Sequence, residues 1–83
     1  MFFDFWPFKS FNRMEGTVKW FDKERGFGFI IPDGDGRDVF LHIYDIRGVN
    51  GNRPYPEQGQ RVRYKLLVTA KDQHRAKDVE ILG

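Results

Sequence analysis

Eighty-three residues allow one small domain with a single hydrophobic core and little stability to spare. Fourteen Lys and Arg against twelve Asp and Glu leave a net charge of +2, which excludes a histone-like polycation; any affinity for nucleic acid has to come from placement and stacking. Cysteine is absent, so disulfides and thiolate metal sites are excluded, and His42 and His74 alone are too few for structural zinc: no metal and no cofactor is expected, in a reducing, cytoplasmic setting.

The chain opens on a segment unlike the rest. Residues 1–14 hold Phe2, Phe3, Phe5, Trp6, Phe8 and Phe11, five of the nine Phe in the sequence. A secretory signal needs a basic start, an aliphatic middle and a small-residue cleavage site, and none surrounds Asp4, Pro7 and Lys9. The segment reads as an appended arm, 1–14, before a domain over 15–83. Three readings stay open: an arm folded over its own barrel or a neighbouring subunit, an interfacial anchor, or a tail whose rings carry no role. The spacing 2, 5, 8 is loosely helical, but Pro7 interrupts it.

From Glu15 the residues turn β-branched and aromatic, and Gly16-Thr17-Val18-Lys19-Trp20-Phe21 predicts a first strand ending at Asp22. Trp20 and Phe21 fall on opposite faces of a regular strand, and the pattern alone leaves open which is buried. Residues 22–26 read as a charged turn.

The stretch Arg25-Gly26-Phe27-Gly28-Phe29-Ile30 carries most of the argument. In a strand, Phe27 and Phe29 share one face while Gly28 and Ile30 share the other. On frequency alone such a Phe pair belongs in a core. The next strand, Asp38-Val39-Phe40-Leu41-His42, tips the balance, because its Val39 and Leu41 make an aliphatic face while Asp38, Phe40 and His42 make a polar-aromatic one. No core accepts an unpartnered Asp and His beside its Phe. Joined as a hairpin through the Pro32–Gly36 turn, the two strands put Ile30, Val39 and Leu41 inside, and Phe27, Phe29, Phe40 and His42 outside as one row of rings. Exposed rings in a row call for a ligand. Asp33 and Asp35 are turn formers, since a calcium loop needs later ligands and a closing Glu.

Residues 43–46 predict one helical turn, and 47–58 a long connection of the kind that often carries function. In it, Tyr55 between Pro54 and Pro56 is either a ring packed on the barrel edge or a stacking wall. A fourth strand is predicted over 60–69, with Val62, Tyr64, Leu66 and Val68 inward and Arg61, Arg63 and Lys65 on a solvated face; a fifth spans 76–82, with Ala76, Val79 and Ile81 inward. Five short strands and no amphipathic helix predict an all-β fold, a small closed antiparallel barrel. The longest apolar run, around Leu66-Leu67-Val68, falls far short of the ~18 residues that span a bilayer, so no membrane span is expected.

Taken together, residues 15–82 resemble the cold shock domain, a five-stranded OB-type barrel. The first strand, the Gly-Phe-Gly-Phe stretch and Asp38–His42 are similar, in that order, to the family's first strand and its two ribonucleoprotein motifs. The RRM carries a similar Gly-Phe signature, but on a late strand and with two helices. The resemblance implies that Trp20, Phe27, Phe29, Phe40 and His42 stack bases, that Lys19 and Arg25 flank them as cations, and that Asp38 accepts from a base edge. It implies Trp20 outward. The sequence departs from the family's Phe-Ser after the motif His, having Ile43-Tyr44, and carries Arg53-Pro54-Tyr55-Pro56 where the family has a Phe and Lys; Tyr55 is assigned to that ring's role. The arm has no counterpart.

The expected function is single-stranded RNA or DNA binding, in the manner of an RNA chaperone. The alternative is an interaction module in which the arm drives homo-oligomerisation or blocks the barrel. An enzyme is not expected: Ser10, the only serine, lies in the arm, and no nucleophile-base pair or metal cluster is present.

Overall fold

The computed structural model describes residues 8–34, 36–48 and 51–83, with the side chains of 8 and 9 excepted. Phe2, Phe3, Phe5 and Trp6 of the arm, and Asp35 of the predicted turn, lie outside the described residues. Five strands, β1 (Phe8–Asp22), β2 (Phe27–Pro32), β3 (Val39–His42), β4 (Arg61–Thr69) and β5 (His74–Ile81), close into a barrel in the order β1-β2-β3-β5-β4. A 3₁₀ turn, Ile43–Asp45, follows β3. Four of the seams are antiparallel, and β3 meets β5 in parallel. That exception is forced, because an odd number of strands in a closed ring cannot alternate direction all the way round.

The interior is aliphatic. Val18, Ile30, Val39, Leu41, Val62, Ala76 and Val79 are buried with Tyr64, Leu66 and Ile46, and no polar or charged residue is buried among the described ones. Each fully buried aliphatic side chain contributes about 1.5–3 kcal/mol of transfer free energy. Ile81 and Val68 pack against this cluster from the rim. Ala76 and Val79 both point inward although three positions apart, because Asp78, at φ 53°, is part of a bulge between the pairs Lys65–Lys77 and Arg63–Glu80. The extra residue resets the alternation.

β1 begins at Phe8, seven residues before the predicted start, and so runs through the end of the arm. Its first residues pair with β4, Phe8 opposite Thr69 and Phe11 opposite Leu66, before Asn12 and Arg13 (φ 59°) bulge and the ladder resumes at Met14 opposite Tyr64. A second bulge, at Lys19, separates the pairs Val18–Ile30 and Trp20–Phe29. It turns both Lys19 and Trp20 outward and returns Phe21 to the core side, where it packs partly buried.

Two glycines allow β1 to approach its neighbours. Gly16 pairs with Pro32 of β2 and Val62 of β4 at once, and a methyl there would lie 2.5 Å from the Ile31 carbonyl oxygen. At Gly28 a methyl would overlap the Trp20 carbonyl oxygen. The ring-bearing strand is thus pressed against the bulged part of β1, which brings Trp20 to the rings of β2.

Candidate nucleic-acid interface

The alternation of β2 and β3 places their rings as expected. Phe27 stands opposite His42 and Phe29 opposite Phe40, on the outer face, while Gly28, Ile30, Val39 and Leu41 point in. Phe27, Phe29, Phe40 and His42 are half-buried, and none joins the core cluster. Ring centres are 5.7 Å apart for both Phe27–Phe40 and Phe29–Phe40, and Trp20, 41% exposed, lies 5.8 Å from Phe27 and 5.3 Å from Phe29. Phe27 and Phe40 are stacked and the other three pairs meet edge to face; such contacts add about 0.5–1.5 kcal/mol per pair and hold the rings in place before any ligand arrives.

His42 continues the row, its ring 6.3 Å from Phe40 and 5.1 Å from Tyr44. Its Nδ1 accepts from the Tyr44 backbone N–H at 3.2 Å. The neutral ring therefore carries its proton on Nε2, leaving a donor beside the stack. Tyr44, absent from the residues expected at the site, is 72% exposed and has the Arg53 guanidinium 5.5 Å from its ring centre. It extends the row at the position after Ile43, whose side chain packs partly buried against the core.

Both expected flanking cations have an acidic neighbour. Lys19 Nζ lies 2.7 Å from Asp38 Oδ2, so each offsets the other at the edge of the ring row. Arg25 belongs to the turn and not to β2; it is 3.7 Å from Asp22, whose Oδ1 accepts from the Glu24 and Arg25 N–H groups. Tyr55 is separate from the main row, on the Phe21 side: it is 51% exposed, 6.3 Å from the Phe21 ring centre, with Lys23 Nζ 5.9 Å from its own.

At the other edge, Arg75 of β5 was not expected. It is the register partner of Phe40, and its Nε is buried with no hydrogen-bond partner among the described residues. Beyond it a concavity of about 510 Å³ is lined by Phe40, His42, Gln73, His74 and Arg75. Only knowledge of the β3–β5 seam brings Arg75 to the rings.

A family model, the 'Cold-shock' DNA-binding domain, matches residues 14–82. The chain belongs to this family. Among similar proteins, a cold shock-like protein of Aquifex aeolicus is 41% identical over 68 residues, covering 82% of this chain and 93% of that one. The cold shock-like protein CspE of Escherichia coli is 42% identical over 60 residues, 72% of this chain and 84% of its own. Glycine-rich protein 2 of Nicotiana sylvestris is 41% identical over 75 residues, 90% of this chain but 33% of that longer protein. Nucleic-acid binding of the cold-shock type is thereby the function of this cold shock domain. The matched region begins at Met14, so the β1 residues from Phe8 to Arg13 precede it. Among the described residues no helix is long and apolar enough to cross a membrane.

Proposed function

We propose that this cold shock domain binds single-stranded nucleic acid by laying unpaired bases on the row Trp20, Phe27, Phe29, Phe40 and His42, and acts as an RNA chaperone. The observation that carries the reading is the row itself, rings held edge to face on the outside of a barrel whose inside is already filled by aliphatic side chains. Every base has a π-face, so stacking gives affinity with weak sequence preference. Lys19, Arg25 and Tyr55 serve at the margins, and Asp38, besides holding Lys19, offers a carboxylate to a base amino group.

Chaperoning follows by mass action. A surface that takes only unpaired bases stabilises the open form of a hairpin by RT ln(1 + [protein]/Kd) and consumes no energy source. Titration of an unstructured oligonucleotide tests it: Phe29→Ala or Phe40→Ala weakens binding by about 1–3 kcal/mol while the thermal midpoint stays near that of the parent. Undiminished affinity, or loss of the fold, would return those rings to a structural role.

A further inference from the structure

On the far side of the barrel from the rings, the outward residues of β4 form the row Arg61, Arg63 and Lys65. The first two are engaged. Arg61 meets Asp33 at 2.6 Å and Arg63 meets Glu15 at 3.3 Å, with Glu80 also near Arg63. Lys65 forms no ion pair among the described residues, and neither does Arg13, which the β1 bulge brings to the same level of β4. The β5 bulge at Asp78 lies at that level on the other side of β4. Between the two bulges is a concavity of about 340 Å³, lined by Arg13, Arg47, Arg63 and Lys65 against the carboxylates of Asp78 and Glu80.

The carboxylates have a use of their own. Asp78 holds Arg47 through two bonds of 2.8 and 2.9 Å, and Glu80 lies between Arg47 and Arg63. Two fixed guanidinium groups therefore wall a space that also presents Arg13 and Lys65, neither in an ion pair among the described residues, with Lys65 near enough to Asp78 for its charge to help hold that carboxyl ionised. Arg13 and Asp78 both adopt the left-handed backbone region, which Asp tolerates and which an arginine side chain enters at a steric cost. A glycine would make the same bend freely. What Arg13 adds to the position is its guanidinium.

We propose that this concavity is a phosphate site, in which Arg13 and Lys65 hold a backbone phosphate of the same single strand that lies on the ring row. The proposal rests on the stacking reading above. Arg13 and Trp20 are on one strand, seven residues and at most about 23 Å apart. A stacked strand advances about 3.4 Å per nucleotide, so the rings use up a hexanucleotide, whereas a 16-nucleotide strand has enough length to reach both.

The test compares binding of a hexanucleotide and a 16-mer to the wild-type chain and to the Arg13→Ala/Lys65→Ala double variant, across a salt series. The expected result is unchanged hexanucleotide affinity, a 16-mer weakened about three- to tenfold, and a log–log salt slope for the 16-mer shallower by about 0.7 per phosphate released. Arg13→Gly is expected to weaken the 16-mer while holding or raising the thermal midpoint, which a purely structural role for Arg13 would not produce. Equal loss on both lengths, or no loss on either, overturns the second site and leaves the ring row standing. Failure of the wild-type chain to bind the hexanucleotide overturns the stacking reading and this proposal with it. Amide shifts at residues 12–14 and 65 on adding inorganic phosphate, without a length-dependent loss, would overturn the strand as the source of the phosphate.

Discussion

The guanidinium carbon of Arg75 lies 5.3 Å from the centre of the Phe40 ring, and these two residues are the pair through which β3 and β5 meet. The ring fixes the cation at the edge of the aromatic row, next to the apolar concavity, where a base or phosphate leaving Phe40 would encounter it. Arg75→Leu keeps an apolar stem and removes the charge. Oligonucleotide affinity is expected to fall by about 0.5–2 kcal/mol with the thermal midpoint held, since the buried Nε has no hydrogen bond to lose among the described residues. Unchanged affinity would leave Arg75 as packing alone.

Gly28 carries a different kind of prediction, because it touches no ligand surface and points inward. A methyl group there collides with backbone of β1, which cannot move aside as a flexible side chain can. Gly28→Ala is expected to destabilise the fold by about 1–3 kcal/mol or more, read from denaturant midpoints. Any loss of oligonucleotide binding should then track the folded fraction.

Tyr64 is 2% exposed, and its hydroxyl has no hydrogen-bond partner among the described residues. Burial, with a smaller contribution from the charge of Asp33, pushes its pKa from 10.0 up to about 12. The neutral phenol is thus favoured by folding: its contribution is fully present below pH 10 and is lost as pH rises toward about 12. Tyr64→Phe is expected to raise stability by about 1 kcal/mol at neutral pH and to flatten the alkaline limb of a midpoint-against-pH curve. A destabilised variant would mean that the hydroxyl is satisfied.

The acid limb has other owners. The hydrogen bond from Arg61 holds Asp33 below its usual 3.8, and that from Arg47 does the same for Asp78. Both carboxylates are stabilising when ionised, so their contribution is present above pH 3.8 and is lost as pH falls through the depressed values. Asp33→Asn and Asp78→Asn should each lower the midpoint at pH 7 and reduce its fall below pH 4. An acid limb of unchanged steepness in both variants would assign it to other carboxylates.

What the sequence made legible was governed by alternation. Phe27, Phe29, Phe40 and His42 could be read to one face because β2 and β3 are regular between Phe27 and His42, and the mixed face of β3 excluded the reverse assignment. Trp20 could not, since the bulge at Lys19 sends two successive side chains outward and breaks the rule on which such reading depends. The same cause hid the start of β1: Asn12 and Arg13 interrupt the pattern between Phe11 and Met14, so the paired residues before them looked detached from the barrel. Arg75 was invisible for another reason. It reaches Phe40 across 35 residues through a parallel contact that no local pattern announces, and Tyr44 gains its place only from the 3₁₀ turn that His42 caps.

The parallel seam has a mechanical consequence. Among the described residues, β3 and β5 are joined in register by Phe40 and Arg75 alone, with one further bridge at Ile46 and Val79, while the other four seams run as longer ladders. Transient opening of the barrel is therefore expected to start there, at the least cost in broken backbone pairing, with amide protons beside it exchanging ahead of those in the other four seams. Because the aromatic row ends on that same joint, a polynucleotide lying over Phe40 and Arg75 would act as a clasp, and its arrival would be recorded as slowed deuterium uptake along both strands.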